Sequence, residues 1–79
     1  MNMDPGTWSA RVATAVRAEM AAQQRSVPSL ADLLGVTVAT VAQRLDATTP
    51  FDLVEIEHVA GWLGMSPSEL LARADEPAA

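Results

Sequence analysis

The sequence predicts an all-α fold in which five short helices pack as one compact domain. Apolar residues recur at three- and four-residue spacing along most of the chain, the period of a helix with one buried face. Nowhere do apolar and polar residues alternate between turn signals, as they do in a half-buried strand. The 79 residues, of which 49% are hydrophobic, are enough for one small core and too few for two domains.

The first helix is expected at residues 7–24, after an N-terminal arm of residues 1–6. Thr7 is its expected N-cap, because a threonine side chain can accept a hydrogen bond from the first turn. One apolar stripe at helical spacing then marks its buried face, and it consists of Trp8, Val12, Ala15, Val16 and Met20.

The second and third helices are expected at residues 27–34 and 38–45, separated by three residues. Ser26 and Thr37 precede these segments and are suited to cap them. Gly35 is expected to end the second helix, because glycine readily adopts the positive φ of a helix C-terminus.

The fourth and fifth helices are expected at residues 53–63 and 67–73, followed by a flexible acidic tail at residues 74–79. Each begins with the spacing of a capping box, in which the cap residue is followed three positions later by a glutamate. The two pairs are Asp52 with Glu55 and Ser66 with Glu69.

The charge of the chain is divided unevenly. The net charge is −5, which counts against a nucleic-acid partner. Residues 1–45 contain four arginines and three acids, however, whereas residues 46–79 contain one arginine and seven acids. All five cations are arginines, whose planar guanidinium suits phosphate and guanine better than an ammonium does.

Composition argues against several other classes of function. The chain has no cysteine and one histidine, His58, so neither a disulfide nor a usual zinc site is expected. Glu55 and Glu57 lie two positions apart on a helix and point to different sides, so they form no acid–base pair. We expect no enzyme, no cofactor, no small-molecule ligand and no membrane-spanning segment, and we expect a cytoplasmic location because no signal peptide is evident.

Two long segments resemble the lambda repressor/Cro-like (XRE-like) family of helix-turn-helix proteins. They are "SLADLLGVTVATVAQRL" and "TPFDLVEIEHVAGWLGMSPSELL". The resemblance implies a compact five-helix lambda-repressor-like domain and the function of a small phage or bacterial repressor. The chain departs from the family at Arg44, where an apolar residue is usual, and at Val38 and Ala39, where polar residues are usual.

By that resemblance, residues 38–45 form the recognition helix that enters the major groove of double-stranded DNA. The implied base contacts are Val38, Ala39, Ala42 and Gln43. The implied phosphate contacts are Arg25, Ser26, Thr37, Thr40 and Arg44. The expected protein is a sequence-specific transcriptional regulator that binds a near-palindromic operator as a homodimer.

Trp62 falls outside the apolar stripe of its helix and aligns with Val54 and His58 at four-residue spacing. Either Trp62 covers the edge of the core against the first or fifth helix, or these three residues form a dimer or partner face. The acidic C-terminal half, with Val38 and Ala39, also leaves open a protein-interaction module, such as an antirepressor or accessory domain. A third alternative is an excision or architectural factor that bends DNA.

Overall fold

A computed structural model describes the backbone of residues 5–75 and the side chains of residues 8–75. That part of the chain forms five α-helices and no strand, which confirms the all-α fold class. The helices are α1 (Pro5–Ala22), α2 (Val27–Leu34), α3 (Val38–Leu45), α4 (Leu53–Trp62) and α5 (Pro67–Asp75). Most of the predicted arm and tail, residues 1–4 and 76–79, lies outside the described residues.

The first helix is displaced by two residues from its expected position. It begins at Pro5, so Thr7 lies inside α1 and is not its N-cap. A proline is tolerated there because the first turn of a helix has no partner for the N–H that proline lacks. The helix ends at Ala22, and Gln24 then takes a left-handed conformation with φ 56°.

The last helix continues to Asp75, two residues beyond its expected end. Ala74 is buried in the core, and the Asp75 carboxylate lies 3.5 Å from the guanidinium of Arg11 on α1. Packing against α1 therefore keeps residues 74 and 75 helical, where the sequence predicted the start of a tail.

The predicted caps of the four later helices are confirmed by hydrogen bonds. Each cap side chain accepts from the backbone N–H three residues later: Ser26 from Ser29, Thr37 from Thr40, Asp52 from Glu55 and Ser66 from Glu69. Both capping boxes are complete, because the two glutamates accept in return from the cap backbone. Gly35 ends α2 with φ 67°, as predicted.

All five helices contribute to one core. Each supplies at least one side chain with no exposed surface, and the largest of these are Val16, Leu30, Val41, Val59 and Leu70. The long α1 packs against α5 and α3, while α2 packs against α3 and α4. This arrangement buries one side of α3 and leaves its other side at the surface.

No described helix is long and apolar enough to cross a membrane.

Candidate nucleic-acid interface

The outer face of α3 carries all four residues expected to contact bases. Val41 and Leu45 point into the core, which fixes the helix on the domain. Val38 is 49% exposed, and the other three expected residues, Ala39, Ala42 and Gln43, are also exposed. The structure therefore brings the predicted base contacts together on one accessible surface, hereafter the α3 face.

Three hydroxyl side chains lie at the N-termini of α2 and α3. Ser26 and Thr37 cap the two helices, and the Oγ1 atoms of Thr37 and Thr40 lie 3.0 Å apart. A helix N-terminus carries a partial positive charge and N–H groups without helical partners. Thr37 and Thr40 therefore place two hydroxyl groups and a helix dipole at the start of the α3 face, and Ser26 caps the dipole of α2.

Arg44 is engaged within the protein and does not extend from α3. Its Nε and Nη2 atoms donate to the two carboxylate oxygens of Glu55, at 3.0 and 3.3 Å. The two side chains are only 18% and 13% exposed. Because the guanidinium charge is already paired, Arg44 would have to leave Glu55 to reach the DNA backbone, and that contact stays a prediction.

Glu55 joins the end of α3 to the start of α4. Its Oε1 atom accepts from Arg44 Nε and also from the backbone N–H of Asp52, both at 3.0 Å. The capping box predicted the second of these bonds. The first joins residues eleven positions apart across a loop, and no local pattern indicates it.

Arg25 is exposed but is held by Trp62. Its guanidinium carbon lies 4.7 Å from the centre of the Trp62 ring, within the range of a cation–π contact. Its Nη2 atom also donates to the Trp62 carbonyl oxygen at 2.9 Å. Trp62 itself is half-buried and packs against the core, so it covers the core edge near the end of α1.

Positive charge near the α3 face is scarce. Two arginines besides Arg44 are also in ion pairs. The guanidinium of Arg11 lies 3.5 Å from the Asp75 carboxylate, and that of Arg73 lies 2.6 Å from the Glu19 carboxylate. Among the described residues this leaves Arg17 and Arg25 as the arginines outside an ion pair. Residues 27–45 contain one acid and one arginine, so α2 and α3 together are neutral.

The residues of the predicted partner face are divided by the structure. Val54 is 63% exposed and lies with the exposed His58 on the outer side of α4, while Trp62 contacts Arg25 in the connection between α1 and α2. Leu53 is more exposed still and borders an apolar groove with Phe51 and Leu71. Within the described side chains, no group of three or more histidines and carboxylates is placed to hold a metal ion.

Comparison with known proteins relates nearly the whole chain to one family. The sequence profile of the BetR domain matches residues 6–79. Searches of curated proteins and of solved structures gave no match. The BetR domain is a small helical domain linked to helix-turn-helix regulators, and the five-helix fold agrees with that description. The chain therefore belongs to the BetR domain family.

Proposed function

We propose that this protein is a sequence-specific transcriptional regulator that binds double-stranded DNA through the α3 face. The observation that carries the proposal is the placement of α3, whose inner side is anchored by Val41 and Leu45 while its outer side is open. Two helices joined by a three-residue turn, with the second exposed, form the usual helix-turn-helix unit. Membership of a family linked to regulators supports the same role.

The chemistry of the α3 face favours A·T base pairs. The side-chain amide of Gln43 can donate to N7 of adenine and at the same time accept from its N6 amino group, which is a bidentate contact. Val38 and Ala39 offer only apolar contact, which suits the methyl group of thymine. We therefore expect half-sites in which adenine and thymine occupy the positions facing the start of α3.

Phosphate binding in this proposal depends on few groups. The N-termini of α2 and α3 present Ser26, Thr37 and Thr40, and Arg25 supplies a positive charge nearby in sequence. Arg44 is left out of the proposed contacts because it is paired with Glu55. Affinity per subunit should be modest, so a near-palindromic operator bound by two copies is the arrangement that fits best.

Selection from a random pool of DNA duplexes tests the proposal. We expect enrichment of an A·T-containing consensus, and fluorescence anisotropy at about 50 mM salt should show preference for it over random duplex. Gln43→Ala should weaken specific binding by about 5- to 150-fold, because a bidentate base contact is worth roughly 1–3 kcal/mol. Ser68→Ala, on the exposed first turn of α5, is the control and should bind as wild type does.

A second candidate is a protein-interaction module that uses the same face. It is favoured by the neutral charge of α2 and α3 and by the exposed Val38, since apolar exposed surface is typical of protein interfaces. The same selection separates the two: absence of any enriched duplex at low salt would exclude DNA and favour a protein partner.

A further inference from the structure

Four exposed residues form a continuous stripe along the outer side of α4. Val54, Glu57, His58 and Gly61 follow the spacing i, i+3, i+4 and i+7, which places them on one face of a helix. The opposite side of α4 is buried through Ile56, Val59, Ala60 and Leu63. This surface, hereafter the α4 stripe, has no covering element within the described part of the chain.

Gly61 has no function within its own domain that the structure shows. A Cβ atom built at this position would meet nothing within 4 Å, so no neighbouring group requires a glycine. Glycine inside a helix is unfavourable relative to alanine because it has more conformational freedom to lose. An exposed helical glycine does allow a second backbone to approach closely, and the exposed valine two turns earlier supplies a side chain of suitable size.

The α4 stripe is complementary to itself. A two-fold axis passing between residues 57 and 58 would relate two antiparallel copies of α4. That operation places Val54 of each copy at the level of Gly61 of the other, so that the valine fills the space above the glycine. It also brings Glu57 and His58 of both copies together at the axis, where an imidazole N–H can donate to a carboxylate.

We propose that two copies of this chain associate through the α4 stripe, with their α4 helices antiparallel. A second copy is the occupant that fits, because the valine, the glycine, the acid and the histidine that pair in this arrangement all lie on the same stripe. A two-fold interface uses one patch on both subunits, and self-complementarity of this kind is its requirement. The proposal does not depend on the proposed DNA binding and is tested without DNA.

The association should be weak. α4 has ten residues and is therefore about 15 Å long, so two such helices bury less than the roughly 1,200 Å² of a standard interface. Sedimentation equilibrium at protein concentrations up to about 1 mM covers the range in which such a dimer forms. We expect a monomer–dimer equilibrium, and a wild-type protein that stays monomeric throughout this range would overturn the proposal.

Two substitutions test the predicted register. Val54→Ser should weaken dimerisation about tenfold, whereas Val38→Ser is the matched control, since it changes an exposed valine on α3 and should leave dimerisation unchanged. Gly61→Ala should raise the thermal midpoint by roughly 2–6 °C, because alanine favours the helix, and yet weaken dimerisation. A more stable Gly61→Ala protein that dimerises as wild type does would contradict the close approach of two α4 helices.

Two variants with altered charges at residues 57 and 58 distinguish self-association through the α4 stripe from association through another surface. Glu57→Lys and His58→Glu should each dimerise about tenfold more weakly, because the first removes the carboxylate that accepts from His58 and the second places four carboxylates around the axis. An equimolar mixture of the two variants should recover association, since a lysine on one copy then faces glutamates on the other. Failure of the mixture to associate more strongly than either variant alone would count against pairing across the axis.

Discussion

Arg44 and Glu55 form the least exposed ion pair among the described residues. The Nε and Nη2 atoms of Arg44 each donate to one carboxylate oxygen of Glu55. Arg44→Ala should lower the free energy of unfolding by about 1–3 kcal/mol, because it leaves the partly buried Glu55 carboxylate without its partner. Urea denaturation followed by circular dichroism measures the change.

Arg11→Ala is the matched control for this substitution. Arg11 also pairs with a carboxylate, but that pair is 3.5 Å long and both side chains are at least half exposed. Exposed pairs contribute little, so its removal should cost less than about 0.5 kcal/mol. Equal losses for the two arginines would show that the Arg44 pair does not stabilise the joint between α3 and α4.

Glu69 makes the free energy of unfolding of the protein fall as the pH is lowered into the acid range. The pKa of Glu69 is held below its ordinary value by the backbone N–H of Ser66 and then by the Ser66 hydroxyl. Because the unfolded chain binds this proton more readily, the contribution is complete above the unfolded pKa of about 4.3 and is lost as pH falls through the lower folded value.

Thermal unfolding of wild type and Glu69→Gln checks this expectation between roughly pH 3 and pH 7, a range that includes the titration of carboxylates. The wild-type midpoint should fall more steeply at the acid end than the midpoint of Glu69→Gln. Parallel curves would mean that the capping hydrogen bonds of Glu69 do not persist in solution.

At the level of single residues, the sequence predicted what depends on near neighbours. The caps at Ser26, Thr37 and Asp52 follow from side-chain type and a three-residue spacing, and all are present. The contacts Arg44–Glu55 and Arg25–Trp62 join residues eleven and 37 positions apart. Such pairs depend on how helices meet, and one sequence holds no local signal for them.

Among the elements, the turn between α2 and α3 depends on one backbone conformation. Gly35 has φ 67°, and a Cβ atom there would touch nothing within 4 Å, so any penalty for a side chain comes from the backbone alone. Gly35→Ala should therefore cost about 1 kcal/mol of unfolding free energy, and Gly35→Asn should cost less, because asparagine tolerates the left-handed region. Chemical denaturation of both variants measures this difference, and an alanine variant as stable as wild type would contradict it.

The starts of the four later helices were predictable because each has a cap in the sequence. α1 was placed less well because its actual start, Pro5, precedes the threonine that looked like a cap. The end of α5 was also missed, since Ala74 and Asp75 are held by α1 and not by any local signal. Helix ends that depend on packing are therefore the part of the fold that the sequence left open.

For the molecule as a whole, ion pairing takes up Arg44, one of the two arginines that the resemblance assigned to DNA phosphate, and leaves the other, Arg25, outside an ion pair. Three of the five arginines are paired with acids, and α2 and α3 are together neutral. The helical period predicted the fold class, but the charge available to a partner depends on which acid meets which arginine. This pairing is decided only when the helices pack.

The paired charges predict weak salt dependence of DNA binding. Each neutralised phosphate contributes about −0.9 to the slope of log K against log salt, so one or two arginines per subunit give a slope of about −1 to −2. Anisotropy titrations of the selected duplex between about 50 and 200 mM salt measure it. A slope steeper than about −4 per subunit would require cations that are paired in this structure to be released.

Contact between the α3 face and DNA is tested most directly by an NMR titration of the isotopically labelled protein with the selected duplex. The largest amide shifts should cluster from Thr37 to Gln43 and at the N-terminus of α2, and the α4 stripe should change less. Saturable binding with shifts confined to α4 and α5, or the absence of shifts at low salt, would contradict contact through the α3 face.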